Sequence, residues 1–113
     1  MKVENTKAQM RKGILELCVL SIISEKEAYP SDIIKKLKES KLIVVEGTLY
    51  PLLSRLKNAD LLHYTWKESK SGPPRKYYHI TKVGSDFLKD LLTTWTELNH
   101  AVNQATLKLI INE

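Results

Sequence analysis

Apolar residues recur at helical spacing in four parts of the chain and at alternate positions in a fifth. From about Thr6 to Glu25, apolar side chains three and four residues apart predict a helix that is covered from more than one side. Pro30 ends this pattern, because a residue that precedes proline is biased away from helix. Ser31 is a suitable N-cap for a second helix, SDIIKKLKES. Its predicted buried edge is Ile33, Ile34 and Leu37.

A third helix is predicted in EGTLYPLLSRLKNADLL, after the link KLIVV, which is either an extended connection or a small strand. At 100° per residue, one side of this helix holds Leu49, Leu52, Leu53 and Leu56. The opposite side holds Tyr50, Pro51, Ser54 and Asn58, flanked by Arg55 and Lys57. Proline is unfavourable beyond the first turn of a helix, so we expect this helix to begin shortly before Pro51. Asp60 follows its end and tolerates a left-handed turn better than most residues.

Strict alternation follows, with Leu62, Tyr64 and Trp66 on one side of a predicted half-buried strand. KESKSGPP supplies the turn and RKYYHI the returning strand. Thr81 is then a suitable cap for a last helix that runs to near the C-terminus. Three helices, a hairpin and a helix predict a mainly α fold with a small β-hairpin, a winged helix-turn-helix with a helical extension at each end.

The charge distribution adds a candidate partner. The 113 residues fit one domain with a formal net charge of +5, and residues 31–82 hold 11 Lys and Arg against 5 Asp and Glu. The remaining residues hold 7 cations and 8 acids. A basic centre favours an anionic partner on one face of the protein. A solvated lysine-rich surface is the other interpretation.

Other classes find less support in the sequence. The longest apolar-dominated run, Ile14 to Ile23, is shorter than a bilayer requires, and the N-terminus has no secretory signal. Cys18 is the one cysteine, lies on the apolar stripe of the first helix and leaves no intrachain disulfide, so we expect a cytoplasmic protein. There is no phosphate loop, HExxH or CxxC, and no metal-ligand spacing among the histidines, so we expect no enzyme, metal or cofactor. The histidines are His63, His79 and His100.

The hairpin turn combines stiffness with positive charge. Pro73 and Pro74 restrict the backbone, while Lys70, Arg75 and Lys76 surround the predicted tip. A rigid basic finger beside a helix suits phosphates and the minor groove. Charged residues and prolines at a strand edge also prevent aggregation, so this pattern alone does not decide for nucleic acid.

Three stretches together resemble the PadR family of bacterial transcriptional repressors: MRKGILELCVLSII, GTLYPLLSRLKNADLL and SGPPRKYYHITKVG. The resemblance covers nearly the whole chain and implies a homodimer whose third helices enter successive major grooves of double-stranded DNA. It places Thr48, Tyr50 and Pro51 of GTLYP, and Lys76 of PRKYY, at the DNA. The helical projection adds Ser54, Arg55 and Lys57, and the wing adds Lys70 and Arg75. Tyr77 and Tyr78 are interpreted as hairpin packing.

The chain departs from this family in three places. YPSDII stands where a glycine-containing turn is usual, Val45 stands where a Ser or Thr N-cap is common, and Asp60 replaces the usual glycine. These departures concern local geometry and leave the expected DNA face intact.

The last helix carries an apolar seam with heptad spacing. Its members are Leu88, Leu91, Trp95, Leu98, Val102, Ala105 and Leu109. A second copy of the chain is the expected cover, and folding back onto the chain's own domain is the alternative. We therefore divide the chain into a DNA-binding domain, residues 1–81, and a C-terminal dimerisation helix, residues 82–113.

Trp95 lies in the middle of this seam. In the drug-binding members that the chain resembles, a tryptophan at this place lines a pore between subunits and stacks on flat aromatic compounds. Trp95 is therefore a candidate ligand-binding residue for a planar aromatic effector, and a core tryptophan is the alternative.

The combined prediction is a repressor that binds a palindromic operator as a homodimer and is released by a small molecule at the dimer interface. A winged-helix protein-interaction module without sequence-specific DNA binding is the second hypothesis. An enzyme is a third, which lacks a convergent cluster of titratable residues.

Overall fold

Three helices precede an antiparallel hairpin, and a long helix with a short helical end follows it. The computed structural model describes residues 2–111, so residues 1, 112 and 113 of the two expected domains lie outside the described part. The elements are α1 (Val3–Glu25), α2 (Pro30–Glu39), α3 (Glu46–Asn58), β1 (Leu62–Ser69), β2 (Gly72–Ile80), α4 (Lys82–Ala105) and α5 (Leu107–Ile111). The predicted winged helix-turn-helix is confirmed, with α2 and α3 as its helix pair and the hairpin as its wing.

The first helix begins at Val3, earlier than the predicted start near Thr6. Its described residues up to Gly13 are exposed, because this half carries few apolar side chains. The second half contributes to the core through four buried residues, Leu15, Val19, Leu20 and Ile23. Helix α1 therefore has one half anchored in the domain and one half that is exposed.

The second helix starts before its predicted cap. Tyr29 takes the N-cap position and Pro30 is the first helical residue, so the prediction of Ser31 as the N-cap is wrong. Proline suits this place because its missing N–H would have no helical partner there and its φ is already helical. The predicted buried edge holds at Ile33 and Leu37.

The third helix contains its proline at a greater depth than predicted. The link from Leu42 to Val45 is extended and forms no strand, and α3 begins at Glu46, five residues before Pro51. The predicted segment thus starts where α3 starts, although Pro51 lies beyond the first turn of the helix. Pro51 has no N–H to donate to the Gly47 carbonyl one turn earlier. Both residues are exposed, so water can satisfy that carbonyl.

The end of α3 returns the chain sharply towards the wing. Asp60 has a φ of 62°, which confirms the left-handed turn expected there. At the other end of α3, Val45 takes the N-cap position without a side-chain hydrogen bond. Between these ends the predicted leucines are all buried: Leu49, Leu52, Leu53 and Leu56.

The hairpin turn is shorter than predicted. Lys70 and Ser71 form the turn, whereas Pro73 and Pro74 already lie in β2. The strand register shifts opposite these prolines, between Lys67 and Ser69 on β1. Proline is tolerated there because an irregular place in the ladder does not require its missing N–H. The prolines therefore stiffen the returning strand instead of the turn.

A single residue of the α1–α2 link extends the small sheet. The Ala28 N–H donates to the Tyr78 carbonyl at 3.2 Å, and the Tyr78 N–H donates to the Ala28 carbonyl at 2.7 Å. Both side chains are buried in the core that α1, α2, α3 and the hairpin share. The wing is thereby fixed to the helices at its base.

Helix α4 starts on the winged helix and then leaves it. The Thr81 hydroxyl accepts a hydrogen bond from the Gly84 N–H at 2.9 Å, which confirms Thr81 as the N-cap. Leu88 and Leu91 pack against the chain's own core, whereas the seam residues from Trp95 onward are exposed.

The end of the seam requires a correction. The structure ends α4 at Ala105, has a turn at Thr106 and places Leu109 on the short helix α5. The predicted seven-residue spacing therefore follows one continuous helix only as far as Ala105. Among the helices within residues 2–111, none is long and apolar enough to cross a membrane.

Candidate nucleic-acid interface

Helix α3 presents an exposed surface opposite its buried leucines. Its helical projection places Pro51, Ser54 and Asn58 at the centre of this exposed side, with two flanks beside it. All six residues of α3 that the sequence assigned to DNA are exposed: Thr48, Tyr50, Pro51, Ser54, Arg55 and Lys57. The exposed side is mostly polar, and its three central residues form the crest of α3.

One flank of α3 faces the wing. Lys57 Nζ lies 5.9 Å from the centre of the Tyr64 ring on β1. Tyr50, 47% exposed, lines a hollow of about 440 Å³ between α3 and the hairpin. We call this hollow the wing groove; its lining includes Tyr50, Ser54, Trp66, Arg75, Lys76 and Tyr78. An open groove lined by two cations, the Glu46 carboxylate and several rings thus lies between α3 and the wing.

The other flank of α3 faces α1. Arg55 Nη2 donates to Glu16 Oε1 at 2.8 Å, and Thr48 lies beside Arg11 and Lys12 at a second hollow. The sequence projection placed Arg55 next to the DNA face but did not show this partner. The guanidinium is therefore held against α1, and its side chain remains 58% exposed.

The wing cations occupy different places from those predicted. Only Lys70 lies in the turn, while Arg75 and Lys76 lie along β2 on opposite faces of the hairpin. The Arg75 guanidinium lies 4.7 Å from the centre of the Tyr29 ring. Lys76 Nζ lies 4.5 Å from the Tyr64 ring centre. Aromatic rings thus position both cations without neutralising their charge.

On the outer face of the hairpin, side chains contact Glu27 of the α1–α2 link. Glu27, before α2, accepts from Lys67 and lies 3.3 Å from His79 Nε2. The hydrogen bond from Lys67 lowers the pKa of the Glu27 carboxyl. His63 stacks on His79 with ring centres 4.8 Å apart. These histidines pack and pair within the wing, and no group of residues in the described part could hold a metal ion.

The two wing tyrosines pack as the sequence suggested. Tyr78 is buried, and burial raises the pKa of its hydroxyl, with the neighbouring Tyr64 and Tyr50 adding to the effect. Tyr77 contacts Tyr29 edge to face, with ring centres 5.2 Å apart. Both residues therefore fix the position of the hairpin.

A separate apolar groove lies between the exposed half of α1 and α4. Its volume is about 460 Å³, and its lining includes Met10, Ile14, Leu17, Leu91, Trp95 and Leu98. Trp95 also borders an adjacent hollow with Cys18, and its side chain is 39% exposed. Burial raises the pKa of the Cys18 thiol, which disfavours the reactive thiolate. This groove is apolar, in contrast to the basic wing groove.

Sequence reasoning did not assign Trp66 to the wing groove. Strand alternation predicted Trp66 as half-buried with Leu62 and Tyr64, but its side chain is 61% exposed. The distance of Trp66 from the predicted core could have indicated that its side chain is exposed. Trp66 lies closer to the turn than the other two residues, where a two-stranded hairpin has less to pack against.

Comparisons with known proteins agree with this geometry. The sequence profile of the "Transcriptional regulator PadR-like family" matches residues 19–90. A PadR-like transcription factor from Bacteroides fragilis is 60% identical, with 89% of this chain and 98% of that chain covered and a TM-score of 0.75. A PadR-like transcriptional regulator from Bacillus cereus is 42% identical, with 86% and 95% covered and a TM-score of 0.76. A PadR family transcriptional regulator from Eggerthella lenta is 32% identical, with 91% and 90% covered and a TM-score of 0.83.

Proposed function

The chain belongs to the PadR-like family of transcriptional regulators, and on that premise we propose that it represses transcription by binding a palindromic operator as a homodimer. It is a DNA-binding transcription regulator, as its family is, and not an enzyme. The observation that carries the proposal is the exposed crest of α3 beside the basic wing groove. In a winged helix, such a crest reads base edges in the major groove while the wing reaches the backbone.

The residues assigned to DNA divide into three roles. Thr48, Tyr50, Pro51 and Ser54 face the major groove, whereas Lys57, Lys70, Arg75 and Lys76 contact phosphates. Arg55 is assigned a positioning role, because its ion pair with Glu16 links the exposed flank of α3 to α1. An exposed ion pair contributes little free energy by itself, about 0–1 kcal/mol, so we assign this pair a role in orienting α3 and not in stabilising the fold.

The dimer is proposed from the exposed seam of α4. Trp95, Leu98 and Val102 are 39, 55 and 56% exposed and share one face of the helix. Burial of a large apolar side chain contributes about 1.5–3 kcal/mol, so a second copy of this seam can form a stable interface. In this proposal, residues 82–113, which include α4 and α5, form the dimerisation segment, and each DNA-binding domain, residues 1–81, serves as one reader of the operator. Two readers about 34 Å apart match successive major grooves of a palindrome.

A mobility-shift titration tests the DNA proposal. DNA from upstream of the protein's own gene should bind more tightly than a scrambled duplex, and affinity should fall steeply with salt because phosphate contacts release counterions. A protein-interaction module would show weak binding with a shallow salt dependence. In cells, deletion of the gene should raise transcription from the bound promoter, and lowered transcription would refute repression.

Lys76→Ala and Arg55→Ala should both weaken operator binding, for different reasons. Loss of Lys76 removes a phosphate contact, so the log–log salt slope should become shallower by about 1. Loss of Arg55 leaves α3 less firmly held, so affinity should fall several-fold with little change in slope, and Glu16→Gln should have the same effect. Fluorescence anisotropy at several salt concentrations measures both quantities.

Lys89→Ala is the matched control for these variants, because it removes an exposed cation from α4 without touching the wing groove. It should retain operator affinity. Full operator binding by the Lys76 and Arg55 double variant would refute the assignment of the site.

We further propose that a planar aromatic effector binds at Trp95 between the two subunits and releases the operator. The apolar groove beside Trp95 supports this proposal, since flat apolar compounds favour such a lining. Helix α1 packs against α4 and belongs to the same domain as α3. Binding of an effector beside α4 would therefore change the spacing of the two α3 helices.

Proflavine, a planar acridine, should quench the fluorescence of Trp95 in a Trp66→Phe protein, where Trp95 is the sole tryptophan. Quenching is expected because a stacked dye lies in direct contact with the indole. Free tryptophan at the same dye concentration corrects for absorption by the dye. If Trp95 emission stays unchanged when proflavine is in large excess over the protein, this proposal is refuted, while the proposed DNA binding is unaffected.

A further inference from the structure

Trp66 is a large apolar side chain that the fold leaves in water. It shares one face of β1 with Leu62, which is buried, yet 61% of its own surface is exposed. One exposed apolar residue is ordinary on a protein surface. The distinctive feature of Trp66 is the set of groups that surrounds it.

The indole of Trp66 is held in place from two directions. The Tyr64 ring stands perpendicular to it, with ring centres 6.1 Å apart. Lys76 Nζ lies 5.4 Å from the indole centre and comes from the residue that pairs with Trp66 across the hairpin. A side chain that is already oriented loses little conformational entropy when it binds a partner.

The surroundings of Trp66 define the chemistry of that partner. Trp66 and Lys76 line the wing groove opposite Tyr50 and Ser54 of α3. Lys76 attracts an anion, while the indole offers an apolar face and an N–H donor. A deoxyribose with its phosphate presents an apolar surface beside an anion, so one nucleotide of a duplex backbone satisfies both groups together.

We propose that Trp66 is a DNA-contacting residue of the wing, whose indole packs against a deoxyribose while Lys76 pairs with the attached phosphate. This inference rests on the proposed DNA binding and adds to it a contact made by an aromatic side chain. Because sugar and phosphate are common to all sequences, the contact increases affinity for every duplex and adds no sequence preference.

Fluorescence tests the contact directly in a Trp95→Phe protein, in which Trp66 is the sole tryptophan. Addition of a duplex carrying the operator should quench Trp66 emission and shift it to shorter wavelength, because the backbone displaces water from the indole. In the Trp66→Phe protein, the same duplex should change Trp95 emission far less. Unchanged Trp66 emission at a DNA concentration that saturates a mobility shift would overturn the inference.

Affinity provides the second test. Trp66→Ala should weaken binding about tenfold, because it removes the apolar surface that packs against the deoxyribose. Operator and scrambled duplex should weaken by the same factor, and the salt slope should stay at the wild-type value because no charge is lost. Trp66→Phe should retain most of the affinity. A changed ratio between operator and scrambled DNA would instead indicate a base contact and would contradict the proposal.

Thr65→Ala is the matched control, because Thr65 is the neighbouring exposed residue on the opposite face of β1. It should bind DNA as the wild-type protein does. If the wild-type protein binds no duplex, the proposed function itself fails. If wild type and Trp66→Ala bind equally well, only the role of Trp66 is refuted.

Discussion

Replacement of Leu98 by glutamate is expected to separate the proposed dimer and to lower operator affinity by at least about 100-fold. Leu98 is 55% exposed and lies between Trp95 and Val102 on one face of α4. In a twofold interface each substitution occurs twice, so two carboxylates would enter an apolar contact close to each other. Desolvation of these carboxylates is unfavourable, and the interface would lose its central apolar contacts as well.

The loss of DNA binding follows from the loss of the second reader. Two linked readers bind a palindrome far more tightly than one, because the second contact forms at a high effective concentration, with gains of about 10²–10⁴. Leu98→Glu should therefore lower operator affinity by at least about 100-fold while the winged helix stays folded. Half-site binding by the separated protomers should survive weakly at low salt.

Light scattering coupled to gel filtration measures the oligomeric state, and a mobility shift measures operator affinity. Thr93→Glu is the matched control, since Thr93 lies on the opposite side of α4 and is exposed. This control should remain dimeric and bind the operator. A dimeric Leu98→Glu protein with wild-type affinity would contradict the proposed seam and the proposed spacing of the readers.

Local periodicity accounts for the parts of the fold that the sequence predicted well. The buried leucines of α3 follow from their helical spacing, and the order of helices and hairpin follows from changes of period along the chain. Thr81 was identifiable as a cap because hydroxyl caps act within one turn of helix. Asp60 was identifiable as a left-handed residue for an equally local reason.

The remaining features depend on parts of the chain that meet only after folding. Arg55 and Glu16 are 39 residues apart, so the projection of α3 alone cannot show which side of the helix faces α1. The exposure of Trp66 depends on how far the hairpin extends beyond the core, whereas alternation indicates only which face a side chain shares. The helical break at Thr106 interrupts the heptad spacing without a proline or glycine to mark it.

The sequence therefore predicted candidate residues for the site but not their arrangement in space. All six α3 residues are exposed, as a DNA face requires. The wing cations were placed around a stiff tip, although Arg75 and Lys76 lie along β2 against aromatic rings. Sequence spacing identifies residues of suitable chemistry, while their partners depend on strand register and on the packing of the wing beside α3.

Replacement of Gly84 by alanine is expected to destabilise the whole domain. A Cβ at this position would lie 2.0 Å from the Leu61 carbonyl oxygen and 2.9 Å from Ile80 Cγ1. The carbonyl cannot move aside easily, because it accepts hydrogen bonds from the Thr81 N–H and hydroxyl, both at 3.1 Å. Helix α4 would have to shift away from the turn that follows α3. Overpacking typically costs about 1–3 kcal/mol, and the contact with a backbone oxygen favours the upper end of that range, about 3 kcal/mol.

Thermal unfolding at a fixed protein concentration measures the effect, and a loss of about 3 kcal/mol corresponds to a decrease in Tm of about 12 °C for a domain of this size. Gly47→Ala is the matched control, because Gly47 is also helical and nothing lies within 4 Å of the place that an alanine Cβ would take there. Alanine also favours helix more than glycine does, so the Tm of this variant should stay the same or rise slightly. Equal Tm values for Gly84→Ala and wild type would show that α4 can move away from Leu61 at no cost. Because the start of α4 fixes the seam relative to α3, the surviving Gly84→Ala protein should also bind the operator more weakly at temperatures where it is still folded. The stability of the domain and the proposed spacing of the two readers are thus both expected to depend on the close contact between Gly84 and Leu61.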